Sequence, residues 1–175
     1  MNKPLQKTVS LKFPITLDGL TTGTLIMRRP QCLDVISSMA LPGDVFAQNA
    51  SLFANLCMVT PEMMDETDVA DMDQLEVAFE ELSDFEPIEN YNPGDPIELG
   101  IPLPGVTPTA PAITSIAMRR PKTKDIRTAH ASEASPEKKD CALYAALTGL
   151  PLSQIYALDW SDMRRLKTVY QGFLA

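Results

Sequence analysis

The chain has 175 residues, of which 45% are hydrophobic and 22% charged, with a net charge of −8. That is the profile of a folded protein with one ordinary domain or two small ones, and it argues against disorder. The acidic balance is wrong for wrapping a phosphate backbone, and no apolar run approaches the ~18 residues of a membrane span, so neither nucleic acid nor membrane is an expected partner.

In chain order, Met1–Lys7 leads into alternating residues and not into an apolar signal core, so the protein is expected to stay in the cell that makes it. Val9, Leu11, Phe13 and Ile15 alternate with more polar neighbours, as one face of a strand does. Asp18-Gly19 and Thr22-Gly23 supply turn chemistry, and Thr24–Met27 returns as the second strand of a hairpin. Pro30 ends it. A short helix from Asp34 to Met39 is expected next, then one from about Asp44 to Met58. A last helix opens at Asp68 and Asp71, spaced as N-cap and N3, and sets Val69, Met72, Leu75, Phe79 and Leu82 on one face. The polar, proline-broken stretch Ser83–Asp95 reads as a linker.

The same series then recurs. Ile97, Leu99, Ile101 and Leu103 alternate, Pro104–Pro108 is a turn, and Ala112–Met118 is the return strand. A helix is expected over Asp125–Ala131, and another from the cap Ser135 and Pro136 through Cys141, Tyr144 and Leu147 to the stop at Gly149. Asp159 and Asp162 open the final helix, with Trp160, Met163, Leu166, Tyr170 and Phe173 on one face.

The two series are one sequence written twice. Met27-Arg28-Arg29-Pro30 returns as Met118-Arg119-Arg120-Pro121, an offset of 91 residues. At that offset Asp34 meets Asp125, Leu52 meets Leu143, Leu56 meets Leu147, Asp68 meets Asp159, Asp71 meets Asp162, and Leu75 meets Leu166. Before the arginines the register is 88, with Val9 on Ile97 and Ile15 on Leu103. The shift marks an insertion, and insertions collect in turns. The expected fold is α+β and mainly α: two similar small domains, 1–82 and 96–175, joined by a linker at 83–95. Each is a β-hairpin followed by about three short helices. The first copy is the more acidic: residues 1–90 hold 5 basic and 15 acidic residues (−10), residues 91–175 hold 10 and 8 (+2).

Nothing points to catalysis. The lone His130 has no Ser or Cys arrangement around it, and the paired aspartates stand where helix caps stand. Cys32, Cys57 and Cys141 have neither CxxC spacing nor an even count, so plain thiols are expected, with no metal site or cofactor. Arg28-Arg29 and Arg119-Arg120 admit two readings: docking points for acidic groups on a partner, or ion pairs with Asp34 and Asp125. Tyr144, Leu147, Trp160, Met163, Leu166 and Tyr170 form core, or, where exposed, a surface for an amphipathic partner helix. The last helix of copy one is acidic (Asp71, Asp73, Glu76, Glu80, Glu81) and that of copy two basic (Arg164, Arg165, Lys167). Copies docking on each other, within a chain or between chains, would make a homo-oligomer.

Three motifs of the second copy stand in order: Met118-Arg119-Arg120-Pro121 with Asp125, then Ala145-Ala146-Leu147-Thr148-Gly149-Leu150-Pro151, then Leu158-Asp159-Trp160-Ser161-Asp162. In them residues 97–173 resemble the tail assembly chaperones of contractile-tailed, Mu-like bacteriophages. The first copy keeps the arginine–proline segment, Asp34, Asp68 and Asp71. It departs from the middle motif, reading Asn55-Leu56-Cys57-Met58-Val59-Thr60-Pro61. The tandem arrangement is itself a departure from a family of mostly single domains. The resemblance implies a non-enzymatic protein of the host cell cytoplasm that coats the phage tape measure protein and keeps it in solution until the tail tube polymerises. The tape measure protein is then the partner, and the tail tube protein a second one. Rival roles are a minor tail or baseplate component kept in the particle, and a cytosolic adaptor reusing the fold. Some such chaperones are made in two lengths by frameshifting, and an end directly after the last helix matches a short form.

Overall fold

The computed structural model describes residues 3–17, 19–107, 109–132 and 135–175. Asp18 and Pro108, each assigned to a turn from the sequence, lie outside the described residues, as do Met1 and Asn2. The chain divides into two compact units. The first comprises residues up to Pro30 together with Asp34–Asp84, the second Gln31–Leu33 together with Phe85–Ala175.

The first unit opens with an antiparallel hairpin, β1 (Gln6–Leu17) and β2 (Leu20–Arg28). Four helices follow: α1 (Cys32–Met39), α2 (Val45–Cys57), α3 (Pro61–Asp65) and α4 (Val69–Leu82). The second unit repeats this with β3 (Pro96–Leu103), β4 (Ile113–Ala117), α5 (Thr123–Ser132), α6 (Pro136–Thr148), α7 (Leu152–Ala157) and α8 (Trp160–Gly172). The architecture is mixed α+β, with two similar regions. The expected count of about three helices per copy omits α3 and α7. Each is a single turn or so, started by Thr60 and Pro151 at equivalent positions, and such short elements leave no periodicity to read.

Matched positions are buried alike. In the first unit the hairpin buries Val9, Ile15, Leu25 and Met27; in the second, Ile97, Leu103, Ile116 and Met118. Leu75 and Leu166, at the centres of α4 and α8, are both fully buried. The ring pairs match as well: Phe53 and Phe79 lie 6.0 Å apart between centroids, Tyr144 and Tyr170 5.9 Å.

The strands depart from simple alternation at one point. The β1–β2 register breaks between Ser10 and Ile15, and the β3–β4 register between Glu98 and Leu103. In each hairpin five steps along the first strand face only two along its partner, so three extra residues bow out of the ladder before the pairing resumes. Phe13, expected on the inner face with Val9, Leu11 and Ile15, is therefore half exposed at 51%. Thr22-Gly23, expected in the turn, sits within β2, which already starts at Leu20.

Ser83–Asp95, read as a linker, is not a bare tether. From Phe85 it belongs to the second unit. There the Tyr91 hydroxyl donates to the carbonyl of Asp95 at 2.7 Å and accepts from the Met118 N–H at 2.8 Å, while its ring meets Phe173 edge-on.

Helix ends carry the clearest difference between the copies. Asp44 and Ser135, 91 residues apart, cap α2 and α6 by accepting from Ala47 N–H and Lys138 N–H. At the other end Gly149 closes α6 in the left-handed region at φ 76°, where glycine pays no Cβ penalty. The equivalent residue closing α2 is Met58, at φ 56° and 85% exposed. Its side chain buries nothing to offset the strain. Met58→Gly will therefore raise stability by about 1 kcal/mol, and Gly149→Ala will lower it by about as much, both read from denaturant midpoints.

All three cysteines are buried thiols outside any disulfide, and burial pushes the Cys57 thiol up to about 11.

Candidate partner-binding surface

The arginine pairs resolve into two jobs. The Arg28 guanidinium donates to both Asp34 oxygens, at 2.7 and 2.8 Å, and Arg119 does the same to Asp125 at 2.7 and 2.9 Å. The free edge of Arg28 reaches the side-chain oxygen of Asn55; that of Arg119 reaches the backbone carbonyl of Ala146, the equivalent residue. Both braces tie the end of a strand to the following helix. The second arginines turn to the backbone, Arg29 to the Pro4 carbonyl and Arg120 to the Phe173 carbonyl. Arg28 and Arg119 thus form the internal ion pairs with Asp34 and Asp125.

The Asp125 carboxylate is held well below the usual range, first by the two bonds from Arg119 and then by the Lys122 N–H. A carboxylate depressed on folding contributes stability above its unfolded pKa of about 3.9, and that contribution fades as pH falls below it. We expect the Asp125 carboxyl group, followed by NMR, to stay ionised through pH 3, and in Arg119→Gln to titrate at a higher pH, still below the ordinary value because the Lys122 N–H keeps donating.

The four aspartates also divide. Asp68 and Asp159 accept from the N–H two residues on, as N-caps do. Asp71 and Asp162, placed at N3 and expected to cap their own helices, instead face the hairpin. Asp71 accepts from Lys12 N–H at 2.7 Å and Phe13 N–H at 2.9 Å; Asp162 accepts from Gly100 N–H at 2.9 Å and Ile101 N–H at 3.3 Å. These are the amides that the two bulges strip of ladder partners. Both carboxylates are fully buried and have additional donors, Gln74 for Asp71 and Arg165 for Asp162. The amides differ by 88 and the acids by 91, so each unit joins its two sequence registers through one clamp. Nothing in one copy's sequence signals this; the register shift between copies was the only hint.

The apolar stripe lies mostly in the core of the second unit. Tyr144, Leu147, Met163 and Leu166 are buried, and burial pushes the Tyr144 phenol up. They cannot meet a partner without unfolding. Trp160 and Tyr170 are partly exposed. Much of the charge expected at a docking face is used within its own unit. Glu81 pairs with Lys7, the Arg164 guanidinium lies 4.2 Å over the Phe85 ring, and Arg165 reaches Asp162 and the Glu98 carbonyl.

The surface missed by sequence reasoning is in the first unit. Met39, Leu41, Val45 and Phe46 are exposed around the α1–α2 connection, which Gln48 ties together by donating to the carbonyls of Met39 and Leu41. A groove runs between α2 and α4, lined by Asn49, Leu52, Phe53, Glu76, Phe79 and Glu80. Another, between β1 and α4, is lined by Lys7, Val9, Asp73 and Val77 among others.

Among the described residues no group of three or more His, Cys, Asp or Glu is arranged to hold a metal ion, and no helix is long and apolar enough to cross a membrane. No curated protein and no solved structure matches the chain. One family does, and it matches twice, over residues 8–84 and again over 104–175. The first match runs from β1 through α4, and the second starts just after β3 and runs from β4 through α8. The chain therefore belongs to the family of phage tail assembly chaperone proteins, E, or 41 or 14, and holds that family's domain in tandem.

Proposed function

We propose that the protein binds the tape measure protein of its phage, holds its apolar helical segments in solution in the host cytoplasm, and gives them up to the tail tube protein as the tube polymerises. The mechanism is reversible burial of apolar surface, without chemistry, metal or cofactor. The observation that supports this most is the combination of a tail assembly chaperone domain with large apolar side chains left on the surface of one unit. Phe46, Val45, Leu41 and Met39 stand together, and contiguous exposed apolar groups mark interaction sites more often than isolated ones do. An extended helical client offers the matching amphipathic face.

Co-expression tests the reading. The tape measure protein is expected in the soluble fraction with this chain and in the pellet without it. Equal solubility in both cases would remove the need for such a chaperone. The same protein found at stoichiometric level in purified virions would favour a structural tail component instead.

A further inference from the structure

We infer that the first unit, and not the second, grips the client, through the α2–α4 groove, and that its occupant is an amphipathic client helix carrying Lys or Arg beside its apolar stripe. This rests on the chaperone reading and names the site and the chemistry of its partner.

The tandem arrangement supplies its own control. Whatever the fold needs is present in both copies: the Arg–Asp brace, the buried aspartate clamp, the aromatic pair and the core leucines. What differs at exposed positions is then free to serve something else. At equivalent surface positions Phe46 replaces Glu137, Val45 replaces Pro136, Met39 replaces His130, and Val77 replaces Thr168. The first of each pair is at least 48% exposed, so none of these side chains is needed for the core. At three of these four positions a polar residue gives way to a large apolar one.

Phe46 and Asn49 stand three residues apart on α2, and Phe53 seven beyond Phe46, so all three share a face. Asn49 and Phe53, with Leu52, line one wall of the groove, whose volume is about 100 Å³, room for a single side chain, and Phe46 stands one helical turn before Asn49, just beyond that lining. Phe53 and Phe79 give an aromatic floor, and Glu76 and Glu80, one helical turn apart on α4, form the opposite rim. In the second unit Lys167 and Gln171 take the places of Glu76 and Glu80; burial there pushes the Asp140 carboxyl up, and Lys167 offsets that only in part. In the first unit the sequence holds no Lys or Arg between Arg29 and Arg119, so α1–α4 contain no cation at all. An apolar slot with two glutamates on its rim fits an apolar side chain with a cation a helical turn away.

The test uses the full chain and a fluorescent model helix of about 18 residues built from leucine and lysine, with a leucine–glutamate helix as its charge-reversed control. Anisotropy titration is expected to show binding of the first and not the second. Phe46→Glu, and the pair Glu76→Lys with Glu80→Gln, are each expected to weaken binding about tenfold. All three install the residue that the other copy already carries in the same fold, and circular dichroism will verify folding. Gln171→Ala in the second unit will change nothing. Phe46→Glu separates a groove from mere attraction between opposite charges, because it adds a negative charge and still must weaken binding. Binding unchanged or tightened in that variant would overturn the inference. So would self-association of the wild type that Phe46→Glu abolishes, since the occupant would then be a second copy. If the wild type binds the model helix by way of Phe46 yet leaves the tape measure protein insoluble, the chaperone reading fails and the groove stands. If Phe46→Glu solubilises the client as well as wild type does, the groove fails and the reading stands.

Discussion

Asp162→Ala will lower the stability of the protein by about 3 kcal/mol, because it orphans two inward-facing amides that the β3 bulge has already taken off the ladder. Each unsatisfied amide costs roughly 1–3 kcal/mol, and Arg165 loses its carboxylate partner as well. Asp71→Ala will do the same to Lys12 and Phe13. For a unit of this size the loss corresponds to a fall in Tm of more than about 10 °C. The informative comparison is with Asp68→Ala, a plain N-cap loss worth about 1 kcal/mol. Equal losses at Asp68 and Asp71 would mean that Asp71 only caps. Asn at 71 or 162 should recover part of the stability at most, since one of its two ends presents donors to an amide that needs an acceptor.

Leu166→Ala will cost a further amount of the same order, about 3 kcal/mol, and Leu75→Ala will match it within about 1 kcal/mol. Both side chains are fully buried at the centre of the last helix of their units, so both deletions leave a cavity in equivalent surroundings. A net stability of only about 5–15 kcal/mol makes either loss conspicuous in urea unfolding. A negligible effect at one leucine and a large one at the other would mean that the two cores are not built alike.

Much of this architecture can be read from residues, and the reasons are specific. Period-two runs around Val9 and Ile97 mark the hairpins, caps at Asp44 and Ser135 start the long helices, and Gly149 ends one of them. Arg28 and Asp34, six residues apart across a proline, are separated by just the chain needed to turn from strand to helix and face each other. Each of these signals is local. What stayed hidden depends on contacts distant in sequence. Phe13 looks like a core residue until the bulge turns it outward. Asp71 looks like a cap because its position in the helix is a cap position, while its bonding partners lie 58 and 59 residues away. Tyr91 sits in a segment rich in proline and asparagine, and only the fold reveals that its hydroxyl holds the end of β4.

The surface was the least legible part. Large apolar residues at exposed positions look like core to a periodicity argument, and a stripe such as Met163 and Leu166 looks like a binding face until its burial is known. Copy-to-copy comparison sharpens that reading, because two sequences under one fold separate what packing demands from what it leaves open. Phe46 against Glu137 carries more information than either residue alone.

Dilution of denatured tape measure protein into buffer containing the purified chain tests the central claim most directly. The account predicts that the client stays in the supernatant as a complex with this chain, and that added tail tube protein displaces the chain as tubes form. Client precipitation unaffected by the chain, or a complex that tube protein cannot displace, would contradict it.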